Sequence, residues 1–295
     1  MTRYLIAGAG GMLGTALQAV LAERGAEFQA PAEREFDITD AEAVARQVGC
    51  FLGGADGTPP GERGVLVNAA AYTNVERAED DAEAAFRVNE HGPRILAAAA
   101  RDAGLAFVHV STDFVFDGTK PGAYAEDDAP NPLSVYGASK LAGERAVLEA
   151  CPDALVVRTA WVFGPGGANF PSKILDATHT RPVLQVVTDE IGSPTYTLDL
   201  ARGIVALAES ASGGVYHLAG TGSCSRFELA REVLALAGRD TRLEPVASSA
   251  FPSKAARPAN SVLDCSKAAA LGVVMPQWTD GLARYIASLP GAGAR

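Results

Sequence analysis

The chain has 295 residues, 48% of them hydrophobic, with 25 Lys and Arg against 35 Asp and Glu and a formal net charge of −10. That composition excludes a disordered chain and supplies enough apolar surface for one large core or two smaller ones. The acidic balance disfavours nucleic acid and anionic membranes as partners, and no apolar run approaches the roughly 18 residues that span a bilayer.

Arg3–Ala7 reads as a strand and Met12–Glu23 as a helix, with the chain entering the strand almost at once and leaving no room for a signal peptide. Between them lies Gly8-Ala9-Gly10-Gly11-Met12-Leu13-Gly14, a Gly-x-x-Gly-x-x-Gly turn on positions 8, 11 and 14. In that context Gly8, Gly10, Gly11, Met12, Leu13 and Gly14 bring backbone and a helix N-terminus to a dinucleotide pyrophosphate; an ordinary glycine-rich turn is the alternative. The second strand ends near Gln29–Pro31, where no acid stands out to hold a ribose diol. Arg34 would neutralise a 2′-phosphate, which favours NADPH over NADH. Asp37 and Ile38 either cover the adenine edge or belong to a cap before the helix that starts at Ala41.

Gly64–Ala69 is a continuous β run, and Asn68, Ala69, Ala70, Ala71 and Tyr72 follow at its end. Small residues there let backbone approach the cofactor's ribose and phosphates, or simply pack helix on sheet. Asp81–Ala103 carries helical periodicity with a break near Gly92-Pro93, and Ala106–Ser111 is a further strand. It runs into Thr112-Asp113, which offers a hydroxyl beyond the carboxyl end of a strand, although Ser-Thr-Asp also suits a loop start. Tyr136-Gly137-Ala138-Ser139-Lys140 opens a helix that runs to Ala150. Four residues apart, Tyr136 and Lys140 share one helical face, where an ammonium beside a phenol draws its pKa toward neutrality and readies it for proton transfer. Ala154–Val162 is a Val-rich strand.

Continuous apolar strands alternating with helices give an α/β fold, a doubly wound parallel sheet of Rossmann type. After Gly164-Pro165-Gly166-Gly167 the pattern loosens into the strand Leu184–Val187, the helix Leu198–Glu209, the strand Val215–Leu218, the helix Arg226–Ala237 and a Pro- and Ser-rich stretch, Pro245–Ser261. Residues 1–164 are therefore expected to form the dinucleotide-binding domain, with pieces from about 196–218 returning to it. A smaller, interleaved substrate domain takes 165–195 and 219–295, and the tail Leu289–Arg295 is expected to fray. Cys50, Cys151, Cys224 and Cys265 lie far apart without a Cys-x-x-Cys pair, which points to a reducing cytoplasm rather than to zinc or disulfides.

The order of these segments resembles the extended short-chain dehydrogenase/reductase superfamily. Six segments carry the resemblance further, to the dTDP-4-dehydrorhamnose reductase family: Asn68–Glu79, Ser111–Gly118, Pro132–Glu144, Arg158–Phe163, Asp189–Thr195 and Arg257–Leu263. The resemblance implies NAD(P)H-dependent reduction of the 4-keto group of a dTDP-linked 4-keto-6-deoxysugar. It assigns Tyr136 as proton donor, Lys140 as its pKa partner and ribose ligand, and Thr112 as the hydroxyl that orients the ketone. Asp113 and Trp161 would line the sugar site, and Asn169, Ile191, Ser193 and Arg257 would hold the rest of the substrate. Some relatives bridge a dimer with magnesium through surface carboxylates; Thr15-Ala16 offers no acid at the matching place, so no metal ligand is expected. Magnesium dependence and the choice between monomer and homodimer stay open. Alternatives on the same scaffold are another nucleotide-sugar 4-ketoreductase, a 4-epimerase, or a non-catalytic dinucleotide-binding subunit.

Overall fold

The computed structural model describes residues 2–53 and 63–289. Residues 290–295 of the expected frayed tail lie outside the described residues. Six parallel strands form the central sheet, in the order Gly214–His217, Leu155–Thr159, Ala106–Thr112, Arg63–Asn68, Thr2–Ala7, Phe28–Gln29. Side chains alternate across it with the strand period of two. Tyr4, Ile6, Val65, Val67, Val108 and Val157 face one layer, built on the helices Met12–Glu23 and Thr197–Ser210. Leu5, Leu66, Phe107 and Val156 face the other, built on Ala41–Leu52, Gly92–Asp102 and Val135–Ala150. Each such fully buried side chain contributes about 1.5–3 kcal/mol, which makes the two-faced burial of these short strands the main source of the fold's stability.

The expected helix over Asp81–Ala103 is built in three pieces: Ala82–Phe86, a π turn at Arg87–His91, and Gly92–Asp102. Pro93 has no N–H and its ring crowds the carbonyl four residues back, so the ladder widens for one turn ahead of it. The π turn puts Asn89 between two functional segments. Its Oδ1 accepts the Tyr72 N–H at 2.8 Å, and its Nδ2 donates to the Tyr72 carbonyl and to Ser139 Oγ, both at 3.0 Å.

Residues from Val162 onward form three small sheets. Val162–Phe163 pairs with Thr195–Tyr196, Val183–Val187 with Arg242–Val246, and Ile191–Gly192 lies between Cys224–Ser225 and Asn260–Ser261. Phe163, Leu184, Val186, Tyr196, Leu229 and Tyr285 belong to their separate core. The helix Thr197–Ser210 and the strand Gly214–His217 leave this lobe and complete the central sheet and its cover. No helix among the described residues is long and apolar enough to cross a membrane.

Candidate active site

Chain direction over the sheet reverses between Thr2–Ala7 and Arg63–Asn68, since the second strand lies on one side of the first and the third on the other. Ligands of open α/β sheets bind at such a switch point, beyond the carboxyl ends of the strands. A cleft of about 1820 Å³ opens there, between the central sheet and the smaller lobe. Single-ligand pockets run to about 1,000 Å³, so this one has room for two molecules side by side.

Gly8 through Leu13 form one end of the cleft. Gly8 has φ +76°, and a Cβ there would lie 2.4 Å from the Ala70 nitrogen, so the turn closes against Ala69-Ala70 only with glycine. The helix Met12–Glu23 starts with no side-chain cap and no acid in its first turn. Its first N–H groups and its positive dipole end are therefore left to a ligand, which fits an anionic diphosphate. Ala69, Ala70 and Ala71 continue this wall, and Glu33, Phe36, Asp37 and Ile38 line its far end.

Thr112, Asp113, Tyr136 and Lys140 line the same cleft. Ser134 caps the tyrosine's helix by accepting the Gly137 N–H at 3.2 Å, and Glu79 Oε1 accepts the Val135 N–H at 2.8 Å. Lys140 is buried and donates from Nζ to the Val110 carbonyl at 2.7 Å; burial brings its pKa down to about 8, against the pull of the Glu144 charge. Tyr136 keeps part of its ring open to the cleft, yet burial pushes its hydroxyl up to about 12, opposed by the adjacent Thr112 hydroxyl and reinforced by Asp113. The groups that act on the phenol here are burial, the Thr112 hydroxyl and the Asp113 charge; the pull expected of Lys140 is not among them. Thr112 Oγ1 donates to Asp113 Oδ1 at 2.9 Å, while Asp113 Oδ2 is buried with no hydrogen-bond partner among the described residues. Burial raises the Asp113 pKa, with the Ser261 and Thr112 hydroxyls and the Arg226 charge working against it.

Trp161 and Arg257 also line the cleft. Trp161 has φ +46°, the one positive value among the described non-glycine residues. Its indole packs on Gly192, where a Cβ would come within 2.3 Å of Cε2. Arg257 Nη2 lies 2.9 Å from Glu76 Oε1, a contact between the two lobes that holds the Glu76 carboxyl below its usual range.

Seven other expected residues are not on the cleft wall. Arg34 is 85% exposed and faces Glu35 at 3.7 Å. Gly14 packs beneath the turn, where a Cβ would meet the Gly8 carbonyl at 2.2 Å. Asn68 is buried and spends its side chain on His109 Nδ1 and the Ala70 N–H, both at 3.0 Å. The Tyr72 backbone is taken by Asn89. Asn169 caps the helix Phe170–Thr178 and donates to the Gly164 carbonyl at 2.8 Å and the Tyr285 hydroxyl at 3.1 Å. Ser193 Oγ donates to the Gly222 carbonyl at 2.9 Å. Ile191 is 43% exposed on its small sheet. Asp37 likewise caps no helix: it accepts from Thr39, while Asp40 caps Ala41–Leu52.

The structure adds residues that sequence patterns passed over. Arg226 lines the cleft with its guanidinium over the Trp161 ring. Behind Lys140, Glu144 and Arg158 form a buried bidentate pair at 2.9 and 2.7 Å that Ser111 Oγ joins by donating to Glu144. Glu144 stands at i+4 from Lys140, a spacing that was available in the sequence; nothing local announces Arg226.

The profile of the RmlD substrate binding domain matches residues 2–290. A dTDP-4-dehydrorhamnose reductase of Streptomyces griseus is 41% identical over 99% of this chain and 96% of its own length. A dTDP-4-keto-6-deoxy-D-glucose reductase of Streptomyces niveus is 39% identical, covering 95% of each. Among solved structures, dTDP-4-dehydrorhamnose reductase from Bacillus anthracis in complex with NADP superposes with a TM-score of 0.90 at 35% identity, over 97% of this chain and 99% of that one. With that extent of identity along the whole length, the chain belongs to the RmlD family of the dTDP-4-dehydrorhamnose reductases, on the extended short-chain dehydrogenase/reductase fold.

Proposed function

We propose that this protein reduces the 4-keto group of dTDP-4-dehydro-6-deoxy-L-mannose to give dTDP-L-rhamnose. One observation carries the proposal: a single cleft joins an uncapped helix N-terminus, suited to a dinucleotide diphosphate, to a protonated Tyr136 flanked by Lys140 and Thr112. The nicotinamide, when bound, supplies hydride to the ketone carbon. Tyr136 donates its proton to the oxygen of that ketone as negative charge gathers there. A phenol held near 12 is the correct state for a donor, and reduction calls for no phenolate at the outset. Thr112 Oγ1 hydrogen-bonds the same oxygen and fixes its direction. Asp113 Oδ2, with no hydrogen-bond partner among the described residues, accepts a sugar hydroxyl. Lys140 would hold the cofactor ribose, and its ammonium balances the phenolate charge that is left when the proton passes to the ketone oxygen.

In this scheme residues 1–164, with 196–218, carry the cofactor, and 165–195 with 219–295 carry the nucleotide sugar. NADPH is the proposed reductant. Glu33 and Asp37, rather than Arg34, line the far end of the cleft and offer acceptors to a free ribose diol, so NADH serves as well. The Streptomyces niveus relative supports a second substrate, dTDP-4-keto-6-deoxy-D-glucose, reduced by the same residues. The test is to incubate the protein with each 4-keto sugar nucleotide and each reduced cofactor. Stoichiometric cofactor oxidation with dTDP-4-dehydro-6-deoxy-L-mannose is expected; no oxidation with either sugar would refute the proposal, and oxidation with the D-glucose derivative alone would favour the second substrate.

A further inference from the structure

Arg226 opens the helix Arg226–Leu236, and its guanidinium packs against two aromatic rings. Its Cζ lies 3.4 Å from the Trp161 ring centroid and 5.1 Å from that of Phe170. Its Nε reaches Glu190 Oε2 at 3.4 Å, and its backbone N–H donates to the Glu190 carbonyl at 3.2 Å. Neither Nη1 nor Nη2 donates to a protein acceptor among the described residues, and the side chain, 17% exposed, lines the cleft. With the Trp161 ring against it, Phe170 nearby and Nε held by Glu190, the guanidinium keeps its Nη groups for the cleft. The Glu190 and Asp113 charges offset part of the cost of burying this cation, yet burial still lowers its pKa, so the open Nη groups have charge to offer a further anion. The other cations on that side of the cleft are less suited: Lys173 is exposed, and Arg257 is 42% exposed and engaged by Glu76.

We propose that Arg226 is a substrate-binding residue whose open guanidinium edge receives the diphosphate of the nucleotide sugar, with Trp161 and Phe170 holding it in place beforehand. This rests on the assignment of the cleft to a nucleotide sugar. A planar fork matches phosphate oxygens two at a time, and the aromatic clamp removes the ordering cost that a free arginine meets on binding. The same stacking joins Arg226 to Trp161, so nucleotide and sugar are gripped by one rigid unit.

The test uses the full chain as wild type, Arg226→Met and Arg226→Lys. It measures the dissociation constant of dTDP, that of NADPH, the melting temperature, and turnover of the 4-keto sugar nucleotide. Arg226→Met is expected to weaken dTDP by roughly tenfold or more, the equivalent of losing charged hydrogen bonds, with NADPH affinity unchanged and no fall in melting temperature. Arg226→Lys, with charge but no fork, falls between. Unchanged dTDP affinity in Arg226→Met overturns the proposal, as does a loss matched by NADPH or accompanied by a fall in melting temperature, because Arg226 then only shapes the cleft. If wild type turns over the sugar while Arg226→Met binds dTDP normally, only the arginine's role fails. If wild type neither binds dTDP nor consumes cofactor, the functional assignment fails and takes this one with it.

Discussion

Glu144→Gln tests the foundation under the proton-transfer pair. Glu144 and Arg158 are 3% and 4% exposed, and the two groups meet through Nε at 2.9 Å and Nη2 at 2.7 Å. Ser111 donates to the same carboxylate, and the Arg158 guanidinium lies over the Phe116 ring at 5.1 Å. Glutamine preserves the volume and one acceptor oxygen but turns the other into a donor aimed at Arg158, leaving a dehydrated cation without its counter-charge. Breaking such a pair costs about 3–5 kcal/mol, a large part of the roughly 5–15 kcal/mol that holds a domain together. At about 2–4 °C per kcal/mol, the melting temperature should fall by roughly 6–20 °C. Thermal unfolding of Glu144→Gln, Arg158→Met and the double variant forms a cycle in which the double variant is more stable than Glu144→Gln alone, since no uncompensated charge remains. A Glu144→Gln protein that melts within about 2 °C of wild type, less than 1 kcal/mol at this size, would refute the reasoning. A second effect follows from the same charge. Glu144 supports the ammonium of Lys140, so its removal should move the pH at which the lysine loses its proton, and cofactor affinity with it, below about 8.

Other outcomes follow from the same geometry. Tyr136→Phe should lower kcat by roughly 10²–10⁴-fold, the usual worth of a positioned acid, while leaving the dissociation constant of NADPH little changed; near-wild-type turnover would remove Tyr136 from its role. Gly192→Ala places a methyl group against the Trp161 indole and should raise KM for the sugar nucleotide and shift tryptophan fluorescence, whereas an unaltered spectrum would show that the indole has room to spare. His217, buried and neutral, has its pKa lowered from 6.5 to about 4 by burial and by Arg158. The unfolded chain then binds the extra proton between those values, so stability is complete above pH 6.5 and falls as the pH drops through 4, by up to roughly 3 kcal/mol. His217→Gln should flatten that slope in urea titrations at pH 4–7, and an unchanged slope would place the acid sensitivity elsewhere. Asp80→Asn breaks an exposed pair with Lys254 and should cost less than about 1 kcal/mol in the same titrations.

What could be read from the chain alone divides along one physical line. Sites made by consecutive elements were legible because a parallel sheet delivers the ends of its strands to one edge. Gly8 and Ala70 end neighbouring strands, and Thr112 ends the next, so short motifs separated by long intervals in the chain meet in the cleft without further information. The helix from Val135 carries Tyr136 and Lys140 to the same edge by its own periodicity. Contacts between lobes obey no such rule. Asn169 has the chemistry of a ligand-binding amide, yet its donors go to Gly164 and Tyr285 because a helix start and a distant hydroxyl needed them first. Arg34 lies next in the chain to a residue on the cleft wall and still points to solvent.

Arg226 is the converse case. It lies 65 positions after Trp161, begins an ordinary capped helix, and matches no motif, yet it stacks on that indole at 3.4 Å because the Ile191–Gly192 strand pairs with Cys224–Ser225 just before it. That pairing sets the register of both residues against Trp161, with Gly192 and Arg226 each in contact with its ring. Trp161 holds a backbone angle that glycine would take more easily, so these contacts help to keep it there. Cofactor chemistry is thus specified by strand ends in the larger lobe. The residues around Trp161 depend instead on the register of a two-residue strand in the smaller one.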